Sequence, residues 1–265
     1  MKEKFAKALE KIKERFNSAT SDGKVKKLYI TAIIVAAVLI ILTTVCGIYL
    51  NDYYRADYDA VAEAITEAKD IEIYELDEKV TVFSPTWESE VGFIFYPGGK
   101  VEARAYEPLM AALASRGIVA VLCEMPFNLA VLDVGAAEGI PEMLPEVKSW
   151  YIGGHSLGGS MAASYLADNK DIIDGLVLLG SYSTANVSDS RALSIYGSED
   201  GVMNREKYEQ YRSNLPEGFT EVTISGGNHA YFGMYGEQDG DGKATIKAEE
   251  QIDYTAARIA EFILQ

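Results

Sequence analysis

Trp150-Tyr151-Ile152-Gly153-Gly154-His155-Ser156-Leu157-Gly158-Gly159 is the stretch on which the reading of this chain turns. An apolar run ends in glycines around one serine, and residues 157–169 then continue at helical spacing. The pattern predicts a strand over 149–153, a sharp turn and a helix over 157–169. A serine in such a turn is held in strained backbone geometry, and Gly154 and Gly158 leave room for the neighbouring strand and helix. The start of the helix offers free N–H groups and positive potential to a developing negative charge. Ser156 is therefore the candidate nucleophile. The competing interpretation is a glycine-rich turn with an idle serine, because G-x-S-x-G alone is a weak pattern in a chain with 23 glycines.

Working outward, short apolar runs alternate with helical patterns. Strands are expected at 71–76 and 80–84 (a hairpin), 91–96, 118–123, 175–179, 192–196 and 220–224. Helices are expected at 55–69, 103–116, 205–214 and 245–264, with irregular helical pieces over 127–148. This alternation implies an α/β fold with a mostly parallel central sheet and helices on both faces. Ligands of such sheets bind outside the carboxyl ends of the strands, so the loops there hold the candidate chemistry.

A serine hydroxyl needs a base. The chain has only two histidines, and His155 lies inside the turn itself, which leaves His229 on the loop after the last expected strand. The third member, which would orient the imidazole, is expected at Asp200 in Tyr196-Gly197-Ser198-Glu199-Asp200, with Glu199 as its rival. Two N–H donors must face the developing oxyanion. Leu157 supplies one as the residue after the nucleophile, and the loop Pro97-Gly98-Gly99-Lys100 supplies the other, expected at Gly99 with Lys100 second.

With these residues in place the chain resembles the α/β-hydrolase superfamily, and within it the compact bacterial group related to dienelactone hydrolases, of the alpha/beta hydrolase fold-5 type. The resemblance covers about residues 80–264 and rests on YPGGK (96–100), EMPFNLAVL (124–132), GGHSLGG (153–159), YGSEDGV (196–202) and GGNHAYFGMYGEQDGDGKA (226–244). It implies the α/β-hydrolase fold and a Ser156, Asp200, His229 apparatus. Dienelactone hydrolases themselves carry a cysteine nucleophile where this chain has Ser156. Many relatives have His-Gly where it has Pro97-Gly98. Only residues 180–191 separate two strands where a lid domain could be inserted, so no large lid is expected.

The N-terminal fifth has a different character. Residues 1–27 hold nine basic and four acidic residues, and residues 28–50, LYITAIIVAAVLIILTTVCGIYL, hold no charge. A helix of that length reaches roughly 35 Å, enough for a hydrocarbon core of about 30 Å. The flank before it is basic (Lys24, Lys26, Lys27) and the flank after it acidic (Asp52, Asp57, Asp59). The expectation is a single-pass anchor in the cell membrane with a cytoplasmic N-terminus and the body outside. A cleaved signal peptide fits less well, since the apolar stretch is long and no small-x-small site follows it. Phe5, Leu9, Ile12 and Phe16 fall at helical spacing among lysines, as a surface-lying amphipathic helix or a plain solvated stop would have them. The expected organisation is thus 1–27 basic segment, 28–50 membrane helix, 51–78 juxtamembrane helix and linker, and 79–265 hydrolase domain.

Composition sets the outer limits. At 265 residues, 48% hydrophobic and 24% charged, the chain suits one moderate domain with an appendage and is no disordered or collagenous protein. Its net charge of -16 argues against nucleic acid as a partner. Cys46 and Cys123 cannot make a disulfide framework. No dinucleotide or phosphate-loop pattern appears, so no cofactor is implied. Asp239-Gly240-Asp241-Gly242 mimics part of a calcium loop but lacks its full spacing and final glutamate, and reads as a flexible loop rather than a metal site. A small-molecule or acyl ester substrate is expected. Phe127, Leu129, Met143, Leu144, Tyr231, Phe232, Met234 and Tyr235 are candidates either for an acyl pocket or for the core. Oligomeric state, and ester against amide or thioester preference, stay open.

Overall fold

A computed structural model describes residues 7, 10–15 and 23–265. The chain divides into two compact units, Met1–Asp52 and Tyr53–Gln265. In the first, helix α1 runs over Gly23–Asn51, longer than the apolar stretch alone. Its part from Val25 to Asn51 is long and apolar enough to cross a membrane, and none of that stretch is buried in the protein. Its polar side chains turn back on the helix: the Thr31, Thr43 and Thr44 hydroxyls donate to the carbonyls of Lys27, Leu39 and Ile40 at 3.0, 2.9 and 2.7 Å. Internal satisfaction of this kind is what an apolar solvent demands of threonine in a helix. Of the expected amphipathic positions before α1, Phe5, Leu9 and Phe16 lie outside the described residues; Ile12 is exposed.

The second unit is an α/β sandwich. Its strands are β1 (Ile71–Asp77), β2 (Val80–Pro85), β3 (Val91–Tyr96), β4 (Val119–Cys123), β5 (Ser149–His155), β6 (Gly175–Leu179), β7 (Arg191–Gly197) and β8 (Thr220–Ile224). They form one sheet in the order β1-β2-β4-β3-β5-β6-β7-β8. β1 and β2 join antiparallel, and every pairing from β4 to β8 is parallel. Helices α2 (Tyr58–Glu67), α3 (Glu107–Ala114), α4 (Ile140–Met143), α5 (Leu157–Asp168), α6 (Arg205–Gln210) and α7 (Ala248–Ile263) complete it.

The strand period of two explains why both faces are apolar. Phe93 and Phe95 of β3 pack with Leu109, Ile259 and Phe262 on one side, while Ile94 and Tyr96 pack with Val121, Ile152, Ala162 and Leu166 on the other. β6 repeats the division, with Val177 and Leu179 in the first cluster and Leu176 and Leu178 in the second. Each fully buried Leu, Ile or Phe contributes about 1.5–3 kcal/mol relative to exposure, so this double core can hold strained turns at the strand ends. Residues 180–190, between β6 and β7, contain no helix or strand, and no large lid interrupts the fold.

The second unit starts earlier than residue 79. Tyr54 N–H donates to the Lys100 carbonyl at 2.8 Å, and Glu102 N–H to the Tyr54 carbonyl at 2.9 Å. The Glu102 carboxylate accepts from Ala56 N–H at 3.0 Å and from the Tyr58 hydroxyl at 2.7 Å. α2, capped by the Asp57 side chain on Ala60 N–H, packs against α3, and β1 edges the sheet. Residues 53–78 are therefore part of the folded body and not a linker.

Candidate active site

The local chain geometry at Ser156 comes first. β5 ends at His155 and α5 begins at Leu157, so Ser156 alone makes the turn, at φ 53° and ψ -120°. A residue with a side chain is held there at a cost of about 1–3 kcal/mol. Two bonds fix it: Ser156 N–H donates to the Leu179 carbonyl at 2.9 Å, and the Ser181 hydroxyl donates to the Ser156 carbonyl at 2.6 Å. A methyl group at Gly158 would overlap the carbonyl oxygens of Tyr96 and Pro97, both backbone atoms of the neighbouring strand end. Gly158→Ala should therefore destabilise the protein by about 1–3 kcal/mol, the usual range for overpacking. A melting temperature equal to that of the wild type would show that the turn is looser than its geometry implies.

The acid and the imidazole meet on the far side of the neighbouring strand end. Asp200 follows β7, and His229 follows β8. Asp200 Oδ1 accepts from the N–H groups of Val202 at 3.0 Å and Met203 at 2.8 Å, which leaves Oδ2 to face His229 Nδ1 at 2.9 Å. Both side chains are buried. Burial alone would raise the Asp200 carboxyl, but the bond and charge of His229 and the two N–H donors outweigh it, and the group titrates below the ordinary carboxylate range. The rival Glu199 turns instead to the Ser198 hydroxyl, at 2.8 Å. With Nδ1–H directed at Asp200, His229 presents a bare Nε2; that atom is buried and makes no hydrogen bond, to Ser156 or to any other described residue.

Ser156 and the pair nevertheless share one corner of the molecule. A Cβ at Gly180 would lie 2.9 Å from His229 Nδ1 and 3.1 Å from Asp200 Oδ2, and Gly180 directly follows Leu179, the residue that anchors Ser156. His155 packs its ring 4.4 Å, centroid to centroid, from that of His229. His155 is thus closer to the chemistry than its position inside the turn suggested. Burial, and then the neighbouring His229, push its pKa well below the usual imidazole value, so it stays neutral. Its Nδ1 lies 2.8 Å from the Tyr106 hydroxyl, which in turn accepts from Gly98 N–H at 3.1 Å. Burial keeps that phenol protonated, so the O–H donates to Nδ1 and the His155 proton sits on Nε2.

The loop after β3 has one N–H to offer. Pro97 has none, Gly98 N–H is on Tyr106, and Lys100 N–H donates to the Asn128 carbonyl at 2.7 Å. Gly99 N–H has no partner among the described residues, and a Cβ there would stand 3.0 Å from the Leu157 side chain. Leu157 N–H, first in α5, has no carbonyl one turn back within its helix. Gly99 and Leu157, the two residues expected to donate, are therefore neighbours in space. A cavity of about 220 Å³ opens at this corner, lined by Ser156, Leu157, Gly180, Tyr182, Val202 and Met203 among others.

None of the eight aromatic and aliphatic pocket candidates lines that cavity. Leu144, Phe232, Met234 and Tyr235 are core residues, whereas Phe127 and Met143 are exposed. Asp241, expected in a flexible loop, has both carboxylate oxygens bonded to backbone N–H groups. Among the described residues no group of three or more His, Cys, Asp or Glu side chains is disposed to hold a metal ion. Tyr106 and Gln251, both in contact with the site loops, carried no sequence signal of their own, and Asp241 stood out only within the calcium-loop mimic and the 226–244 motif.

Comparison with known proteins agrees with this architecture. The dienelactone hydrolase of Anabaena variabilis ATCC 29413 superposes with a TM-score of 0.53 at 15% identity, covering 74% of this chain and 98% of its own. A predicted CIB-like hydrolase of Thermoplasma acidophilum superposes with a TM-score of 0.50 at 17% identity, covering 72% of this chain and 97% of its own. At these identities the likeness is one of fold. No curated protein matches the chain in sequence. The model of the alpha/beta hydrolase family matches residues 92–253, more than half of the chain and all of the site loops, and the chain belongs to that family.

Proposed function

We propose that the chain is a membrane-anchored serine hydrolase that cleaves carboxylic esters through an acyl-enzyme. The observation that carries this is the buried Asp200–His229 bond, with Nε2 left without a partner among the described residues, at the corner of the fold where the strained Ser156 is anchored through Leu179 next to Gly180. Ser156 Oγ attacks the acyl carbon and its proton passes to His229 Nε2. Asp200, ionised and held by two N–H groups, stabilises the imidazolium and fixes the tautomer. Leu157 N–H and Gly99 N–H receive the oxyanion. His229 returns the proton to the leaving alkoxide, and water repeats the path to release the acid. The Ser156–His229 hydrogen bond forms on substrate binding, as catalytic bonds that are open in a free enzyme commonly do.

A panel of matched ester, thioester and amide substrates tests the bond preference. The proposal expects an alcohol burst equal to the enzyme concentration and faster turnover of esters than of amides. Faster amide or thioester turnover would reassign the bond and keep the machinery. Absence of turnover on every class, with the fold intact, would favour a binding protein on a hydrolase scaffold. The anchor is α1, with its basic flank cytoplasmic and the hydrolase body outside. Protease added to intact cells should remove the body; full protection would reverse the orientation.

A further inference from the structure

We infer that Asp241 is the positioning residue that keeps Asp200 and His229 in register. This rests on the proposed use of that pair in catalysis. The two residues come from separate loops, 29 positions apart in sequence, and their bond is 2.9 Å long. Asp241, from a third loop, ties the two together. Its Oδ1 accepts from the N–H of Gly201, the residue after the acid, at 3.0 Å. Its Oδ2 accepts from the N–H of Ala230, the residue after the base, at 2.9 Å. Oδ1 also accepts from Gly242 N–H at 2.8 Å, which orients the carboxylate from its own side.

The surroundings reinforce the clamp. Asn228 donates through Nδ2 to the Gly242 carbonyl at 3.0 Å, so the residue before the base is bound to the same loop. A Cβ at Gly201 would come within 2.8 Å of the Gly240 carbonyl oxygen, so the acid loop rests directly on the Asp241 loop. Gln251 of α7 holds the Asn228 backbone on its other side, by bonds of 3.0 and 2.8 Å, but it touches only the base loop. Among the described residues, Asp241 is the one side chain that bonds both the residue after Asp200 and the residue after His229. An ionised acceptor serving backbone donors makes stronger bonds than a neutral one. Asparagine in its place would put an NH2 group against one of these N–H donors.

The test uses the full-length chain in detergent with a fluorophosphonate and a chromogenic ester. Asp241→Asn should lower kcat and the labelling rate by about 10–100-fold, with KM within about twofold, the scale of an ångström-level misplacement. A residue acting through His229 should add nothing once His229 is gone, so on a His229→Ala background Asp241→Asn should leave the residual labelling rate unchanged. An equal fall on both backgrounds, or no fall on either, overturns the assignment. Asp241→Ser, which keeps one acceptor, is made alongside. If neither variant shows a cooperative thermal transition, Asp241 is a residue of the fold and the assignment fails. Wild-type protein that is not labelled would sink the hydrolase proposal itself, whereas a labelled wild type with an unaffected Asp241→Asn overturns this inference alone.

Discussion

Ser156→Ala is expected to lower kcat on an ester by about a million-fold, the loss seen when a serine nucleophile acting in concert with its base is removed. The expectation follows from where the residue stands in the fold. Ser156 is the only residue between β5 and α5, its backbone strained, and it lines a cavity formed partly by the acid loop. His229→Gln should cost about as much, and the double variant little more, because either change breaks the same proton path. Independent, multiplying losses would mean that the two residues do not act as one unit. The check is steady-state kinetics on the three proteins, each shown to melt cooperatively.

Asp200→Asn carries the second largest expected effect, a fall in kcat of about ten-thousand-fold. The amide leaves the shape intact but offers its NH2 where Nδ1–H needs an acceptor, so the imidazole is driven toward the tautomer that cannot take a proton at Nε2. The same substitution has a stability signature. The Asp200 pKa is lowered in the folded protein, because the His229 bond and two N–H donors override burial. Its contribution is therefore fully present above the unfolded value of about 3.9 and is lost as pH falls through the lower folded value. The melting-temperature gap between wild type and Asp200→Asn should shrink as pH falls below about pH 4. A gap that widens in acid would contradict the assigned direction.

What could be read from the amino acids alone was what depends on local sterics or on scarcity. The glycines at 154 and 158 announce a crowded turn, and the strand and helix on either side form as expected. With only two histidines, the base could be sought at one loop. Glu199 and Asp200 could be separated only by ordering, and the structure gives the imidazole contact to Asp200. Less was legible where function depends on distant pairings. The Tyr106–His155 bond joins residues 49 apart, and the Asp241 clamp joins three loops, so neither leaves a periodic trace. β1 escaped the domain boundary for a different reason: it is an edge strand with mostly exposed side chains, and α2 buries only Val61, so both look like a solvated linker. Aromatic residues near a catalytic loop can face a pocket or the core, and here Phe232 and Tyr235 face the core.

Mass mapping after exposure of the folded chain to a fluorophosphonate tests the central claim most directly. The account predicts one phosphonyl group per molecule, on Ser156, absent from denatured protein and from Ser156→Ala. A folded wild type that stays unmodified, or an adduct that persists in Ser156→Ala, would contradict it.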